Sequence, residues 1–316
     1  MKVSIIIPTF NRANLISYTL DSIFEPKDID LEVIVVDDGS TDGTEEIVRS
    51  KYPAVRFIKQ KNQGAPAARN LGLKESTGGF ILFLDSDDIL EGDFFGSRVK
   101  EFDLNHTLDC VYGNFDFFSG EYAYKFENEV PRTLNYPLYS IGNEDRILYN
   151  LLAGWYIHPC SILWKRSFIE KIEGFRLDLL INQDVDLLFR AILANGNITG
   201  VSGGRALIRE HGNERVGAIE KNPLKINQIF QLRVKFKEMM IQNDIWNQSY
   251  SDSMAYYCFE IWSIYRISMP TEAKKFLIFS RVLNPNLKLK GRFILRFFAE
   301  IFGNERAVVF RQFLSG

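Results

Sequence analysis

Short, mostly apolar runs alternate with segments of helical spacing over the first ninety residues. Val3–Ile7 is a strand-like run, and Leu15–Phe24 then repeats apolar residues at the three- and four-residue intervals of an amphipathic helix. Glu32–Val36 is a second strand-like run. Thr41-Asp42-Gly43-Thr44 offers N-cap chemistry to a helix that Glu45–Val48 opens. Val55–Ile58, Ala65–Lys74 and Phe80–Leu84 predict strand, helix and strand again. Strands without polar alternation are covered on both faces. The pattern therefore predicts an α/β fold, Rossmann-like, with a mainly parallel sheet and helices on both faces.

Beyond Cys110 the periodicity loosens. Val111–Phe118 and Tyr122–Phe126 read as a hairpin divided by Ser119-Gly120, and Ser161–Trp164 as a strand. Ile147–Leu152, Ser167–Ile172 and Asp184–Ala194 read as helices. From about Val216 the chain reads as helical throughout, punctuated by Pro223, Pro270 and Pro285. These breaks predict a first domain over 1–215, divided into halves 1–110 and 111–215, followed by a C-terminal helical region over 216–316.

In parallel sheets, ligands gather outside the carboxyl ends of the strands. The residues at those ends here are Pro8-Thr9-Phe10-Asn11, Asp37-Asp38-Gly39-Ser40 and Asp85-Ser86-Asp87-Asp88. Three polar clusters thus converge on one edge. Two carboxylates separated by one residue can hold a hard divalent cation such as Mg²⁺ or Mn²⁺, which prefers oxygen ligands and shares its shell with phosphates. The plainer alternative is that Asp85, Asp87 and Asp88 cap a following helix. Gly39 suits a tight turn that would present Asp38 to the edge of a base. Gly64 suits a helix start. Arg69 suits an ion pair with Asp38 or a phosphate contact, and both stay open.

Four strings in order, VSIIIPTFNR (Val3–Arg12), VIVVDDGSTDGT (Val33–Thr44), NQGAPAARNLGL (Asn62–Leu73) and ILFLDSDD (Ile81–Asp88), resemble glycosyltransferase family 2 with its GT-A fold. The likeness spans roughly residues 1–215. It implies a nucleotide-diphosphate sugar, a UDP-sugar favoured, held by Pro8, Thr9, Phe10, Arg12, Asp38, Gly64, Arg69, Asp85, Ser86 and Asp87. It also implies Mn²⁺ or Mg²⁺ on Asp87 and Asp85, with His211 approaching the metal or diphosphate. The catalytic domain over 1–215 would comprise a donor-binding half, 1–110, and an acceptor-binding half, 111–215.

An inverting transfer needs a base that takes the proton of the acceptor hydroxyl. The family places it in a Glu-Asp pair after a Gly-Phe segment. Here Gly174-Phe175 precedes Gln183-Asp184, so the first position departs from the pattern and Asp184 is the implied base. Asp186 points to the other side of the helix and pairs with Arg190 four residues on. Trp155, His158 and Gln183 are acceptor candidates, although aromatics there serve equally as core.

Composition narrows the classes further. The 316 residues are 46% hydrophobic and 14% aromatic, with a net charge of −2, which excludes disorder and gives no general attraction to nucleic acid. Cys110, Cys160 and Cys258 form no CxxC pair, and no segment has the length of a membrane span, so a cytoplasmic protein is expected. Lys288–Phe302 (KLKGRFILRFFAEIF) is basic and aromatic. It suits the inner face of a membrane, with a glycan or lipid-linked saccharide as acceptor, or equally suits docking on protein. A sugar-nucleotide pyrophosphorylase would need a Gly-rich loop after the first strand. A phosphatase with a nucleophilic aspartate would leave Asp38 and Asp184 without roles, and a non-catalytic binding protein is favoured only by Gln183.

Overall fold

The computed structural model describes residues 1–23, 29–118, 132–133 (backbone only), 138–210 and 222–287. These divide into two compact units. One holds the described residues up to 151 and those from 155 to 210; the other holds 152–154 and 222–287.

The first unit is built on one sheet. Its opening strands β1 (Lys2–Thr9), β2 (Asp30–Asp37), β3 (Arg56–Lys59) and β4 (Phe80–Phe83) alternate with helices α1 (Ile16–Asp21), α2 (Thr44–Lys51) and α3 (Ala65–Glu75). All pairings among these four strands are parallel. Val3, Ile5, Ile6, Ile7, Ile81, Leu82 and Phe83 are fully buried, as strands covered on both faces require.

Then come β5 (Ile89–Glu91), α4 (Phe94–Leu104), β6 (Cys110–Phe118), β7 (Arg132–Thr133), α5 (Glu144–Leu152), β8 (Ile162–Lys165), α6 (Arg166–Lys171), α7 (Gln183–Leu193) and β9 (Ile198–Arg209). The sheet order is β3-β2-β1-β4-β8-β6-β9-β5, with β7 on β6. This half is mixed: β8 runs antiparallel to both β4 and β6, β5 antiparallel to β9, and β6 parallel to β9. The fold is α/β as the periodicity predicts, with its parallel character concentrated in the first ninety residues.

Two elements escape the periodicity. β9 contains Gly200, Gly203 and Gly204 and pairs with β6 through a register shift at Gly113/Asn114, so its sequence reads as turns. The helix α4 buries Arg98 completely. That guanidinium stacks on the Phe94 ring at 3.6 Å and donates to the carbonyls of Ser161, Phe94 and Gly203.

The second unit is helical where it is described: α8 (Pro223–Gln242), α9 (Gln248–Tyr265) and α10 (Pro270–Leu283). The Asn222 side chain caps α8 by accepting from the N–H groups of Leu224 and Lys225. Ser251 and Ser280 tie α9 to α10 by donating to the carbonyls of Leu283 and Ala255. No described helix is long and apolar enough to cross a membrane. The predicted Tyr122–Phe126 strand, the basic stretch Lys288–Phe302 and His211 lie outside the described residues.

Candidate active site

The helix α3 sits so close to β1 that a Cβ on Gly72 would lie 2.3 Å from the Ile6 side chain. Residues three apart share a helix face, so this seating carries Arg69 to the end of the sheet. There the Arg69 Nη2 donates to Asp85 Oδ1 at 2.6 Å, and the guanidinium lies 5.1 Å over the Phe175 ring. Its Nε has no hydrogen-bond partner among the described residues. Of the partners expected for Arg69, Asp38 is not the one found.

Asp38 instead organises the loop before α3. Its Oδ1 accepts from Gln60 Nε2 at 2.7 Å and from the Gln63 N–H at 2.8 Å, while Oδ2 accepts from the Gly64 N–H at 2.8 Å. Gly64 has φ +88° and ψ 160°, a backbone that only glycine adopts without strain. A carboxylate offers about four lone-pair positions, so one on Oδ2 remains for a ligand N–H. The Asp38 N–H in turn donates to the Thr9 carbonyl at 2.8 Å. The buried Thr9 hydroxyl has no partner among the described residues. Pro8 is buried beside it on β1, and Phe10 next along is 44% exposed. Asp37, fully buried, holds the turn by accepting from the N–H and hydroxyl of Ser40.

The acidic cluster caps no helix: it leads into β5, and Asp93, not one of the three acids, precedes α4. Each acid has a separate environment. Burial raises the Asp85 carboxyl, but Arg69 above all, with His158 and Arg12, outweighs it and holds the group below its ordinary value. Arg12 Nε donates to Asp87 Oδ2 at 3.2 Å. Asp88 is 2% exposed; burial first, then Asp85 and Asp87, push it well above the usual range. Its Oδ1 accepts from the Arg209 N–H at 2.9 Å and its Oδ2 from the Cys160 thiol at 3.1 Å. Ser86 is buried between them. Burial lowers His158 to about 4 even though Asp85 opposes that shift, so the ring is neutral at physiological pH.

Asn70 joins the loop after α6 to this edge. Its Nδ2 donates to the Phe175 carbonyl at 2.7 Å, and its Oδ1 accepts from the Phe175 N–H at 2.9 Å. Phe175 also meets Phe83 edge-on at 4.9 Å. A short run then reaches Asn182, at φ 59°, and α7. Asp184, half-buried on its first turn, is raised chiefly by burial. Hydrogen bonds from backbone N–H groups and the charge of Arg69 oppose that rise, and Asp85 adds to it. Gln183 Nε2 donates to the Leu179 carbonyl at 2.7 Å. Asp186 faces away, 2% exposed, and pairs with Arg190 at 2.7 Å and Arg176 at 3.5 Å, as its helical spacing predicts.

The residues at hand suit a hard divalent cation. Asp85 and Asp87 supply oxygen donors, and Asp85 Oδ2 accepts no hydrogen bond among the described residues. The structure therefore brings Arg69, Asp85, His158 and Asp184 together, beside the Arg12–Asp87 pair and the Thr9–Asp38–Gly64 loop. Trp155 is 50% exposed, and its neighbour Tyr156 packs near His158 and Phe115. Asn70 and Cys160 were not singled out in the sequence, and Asp88 was read only as a helix-cap alternative, because the partner of each lies 72 or more positions away.

The family model for glycosyl transferase family 2 matches residues 4–172. A chondroitin synthase of Pasteurella multocida (strain Pm70) is 42% identical over 113 residues, 35% of this chain and 12% of that protein. An uncharacterized glycosyltransferase of Rickettsia felis is 38% identical over 109 residues, 34% of this chain and 18% of that protein. The match thus spans less than a fifth of these relatives' length. The crystal structure of S. aureus TarS 1–349 superposes with a TM-score of 0.64 at 20% identity, covering 99% of this chain and 90% of that one. The same protein in complex with UDP-GlcNAc gives 0.63 at 18%, covering 99% and 91%. The mannosyltransferase PcManGT from Pyrobaculum calidifontis, in complex with GDP-Man and Mn²⁺, gives 0.53 at 19%, covering 98% and 86%. At these identities the structural likeness shows a shared fold.

Proposed function

Because this chain belongs to glycosyl transferase family 2, we propose that it is an inverting, metal-dependent transferase that moves a sugar from a nucleotide-diphosphate sugar, a UDP-sugar favoured, to a glycan or lipid-linked saccharide in cell-surface polysaccharide or glycoconjugate synthesis. The observation that carries this reading is a tether: α3 carries both Arg69, whose Nη2 donates to Asp85 Oδ1 at 2.6 Å, and Asn70, whose side chain holds the Phe175 backbone in the loop that leads to Asp184. An acceptor-side base and a donor-side ion pair thus serve one reaction centre.

In this reading Asp38 accepts from the nucleobase, beside Thr9 and the Gly64 loop, and Arg69 and Arg12 face the phosphates. Pro8, Phe10 and Ser86 line the donor site. Asp85 and Asp87 would hold Mn²⁺ or Mg²⁺, which when bound neutralises the diphosphate and makes it a better leaving group. Asp184 takes the acceptor hydroxyl proton while Trp155, His158 and Gln183 line the acceptor side. The domain plan follows: residues 1–110 bind donor, 111–215 bind acceptor, and 216–316 form the helical region. The enzyme works in the cytoplasm, at the inner membrane face when its acceptor is lipid-linked. Nucleic acid is no partner.

The test is incubation with Mn²⁺ and a panel of nucleotide sugars, with binding and nucleoside-diphosphate release both measured. Metal-dependent binding with release supports the reading, and absence of any metal-dependent binding overturns it.

A further inference from the structure

Behind the Asp85 carboxylate the chain brings together a sulfur, an imidazole and two carboxylates. Asp85 and Asp88 lie between β4 and β5, while His158 and Cys160 lie just before β8. One ligand atom of each lies within 4.8 Å of all the others. Cys160 is fully buried and Asp88 nearly so, whereas 32% of the Asp85 side chain is exposed. The cluster is closed on one side and open on the other.

We propose that Asp85, Asp88, His158 and Cys160 form a binding site for Zn²⁺, separate in its donor chemistry from an oxygen-ligated Mn²⁺ or Mg²⁺ on Asp85 and Asp87. The inference does not depend on sugar transfer. Thiolate and imidazole are poor ligands for hard cations, but zinc takes sulfur, nitrogen and carboxylate oxygen together in four-coordinate sites. Its bond lengths put tetrahedral ligand atoms roughly 3.3–3.8 Å apart. Cys160 Sγ and Asp88 Oδ2 are already 3.1 Å apart, so the widest separation has to contract by about one ångström, within reach of side-chain rotation.

Supporting groups are also in place. The Asp85 N–H donates to Cys160 Sγ at 3.3 Å, and the Arg209 N–H to Asp88 Oδ1 at 2.9 Å. Both contacts can persist when a metal arrives and would orient the ligands. Binding replaces the thiol proton, which now points at Asp88; that proton leaves to solvent and the sulfur becomes the thiolate ligand. Without a metal, the same hydrogen bonds satisfy the cluster as a neutral thiol against a carboxyl group.

Co²⁺ as a spectroscopic stand-in decides between the two states. The full chain, stripped of metal and free of nucleotide, is titrated with Co²⁺. The expected result is a thiolate-to-cobalt charge-transfer absorption with tetrahedral d–d bands, displaced by Zn²⁺ but not by excess Mg²⁺. Cys160→Ser should lose the charge-transfer band, while Cys110→Ser and Cys258→Ser keep it. His158→Asn should keep the band and bind Co²⁺ more weakly. Cobalt bound with no thiolate band, or a band surviving in Cys160→Ser, overturns the proposal. Should Cys160→Ser fail to fold, parent-like Co²⁺ affinity in His158→Asn overturns it as well.

Discussion

Arg69 Nη2 donates to Asp85 Oδ1 at 2.6 Å, and this contact ties the helix after β3 to the carboxylate after β4. Arg69 is 8% exposed, so its charge is largely removed from water and depends on Asp85 for compensation. Truncating one partner of a buried pair costs about 3–5 kcal/mol; the partial exposure of Asp85 reduces the expected cost of Arg69→Ala to about 1–2 kcal/mol. Thermal unfolding measures that loss. Titration calorimetry should show nucleotide-sugar affinity falling about tenfold or more. Arg69→Lys should not restore it, because an ammonium cannot reproduce both the planar stacking on Phe175 and the contact to Asp85.

Asp184→Asn separates binding from transfer. Donor affinity should stay, while kcat falls about 10²–10⁴-fold, the usual worth of a positioned base. Unchanged transfer would remove Asp184 from that role. The same substitution has a stability signature. The folded chain holds the Asp184 proton more tightly than the unfolded chain does, so this group's stabilisation is present at low pH and lost as pH rises through its raised pKa. Near neutral pH Asp184→Asn should therefore melt higher than the parent, and acidification should shrink the difference.

The pH profile of transfer follows from the same shift. A base must be ionised, and burial places the Asp184 carboxyl above its ordinary value. The acid limb of kcat/KM, which reports the free enzyme, should accordingly lie above the range of an exposed carboxylate. A limb at the ordinary carboxylate position would contradict this assignment.

Asp38→Asn tests the loop before α3. An amide has one accepting oxygen where the carboxylate serves three donors, so an NH₂ group must face an N–H. The expected cost is about 1–3 kcal/mol in chemical denaturation, together with loss of donor binding.

Asp87→Ala should remove the Mn²⁺ enhancement of nucleotide-sugar binding and leave the metal-free component in place. Calorimetry with and without Mn²⁺ reads this directly. Persistence of the enhancement would move the cation to other ligands.

Much of this sheet edge was legible in the sequence because it follows local rules. Apolar runs of four to eight residues mark buried strands, and Asp38 and Asp85 stand where those strands end. β9 was not legible, since its glycines resemble turns and only pairing with β6 makes them a strand. Arg98 reads as a surface residue of α4, yet it is fully buried and donates hydrogen bonds to carbonyls up to 105 positions away. The partner of Arg69 was not legible either: the sequence offered Asp38 or a phosphate, and the seating of α3 on β1 selects Asp85 instead.

Asn70 engages the main chain of Phe175, accepting its N–H and donating to its carbonyl. A clamp of that kind is indifferent to which side chains follow along the loop from α6 to α7. On the proposed function, the segment toward Asp184 would tolerate rewriting for a new sugar acceptor while its spacing from Asp85 stays calibrated. Swapping acceptor preference between relatives should succeed through exchanges beyond Phe175 that leave Asn70 untouched.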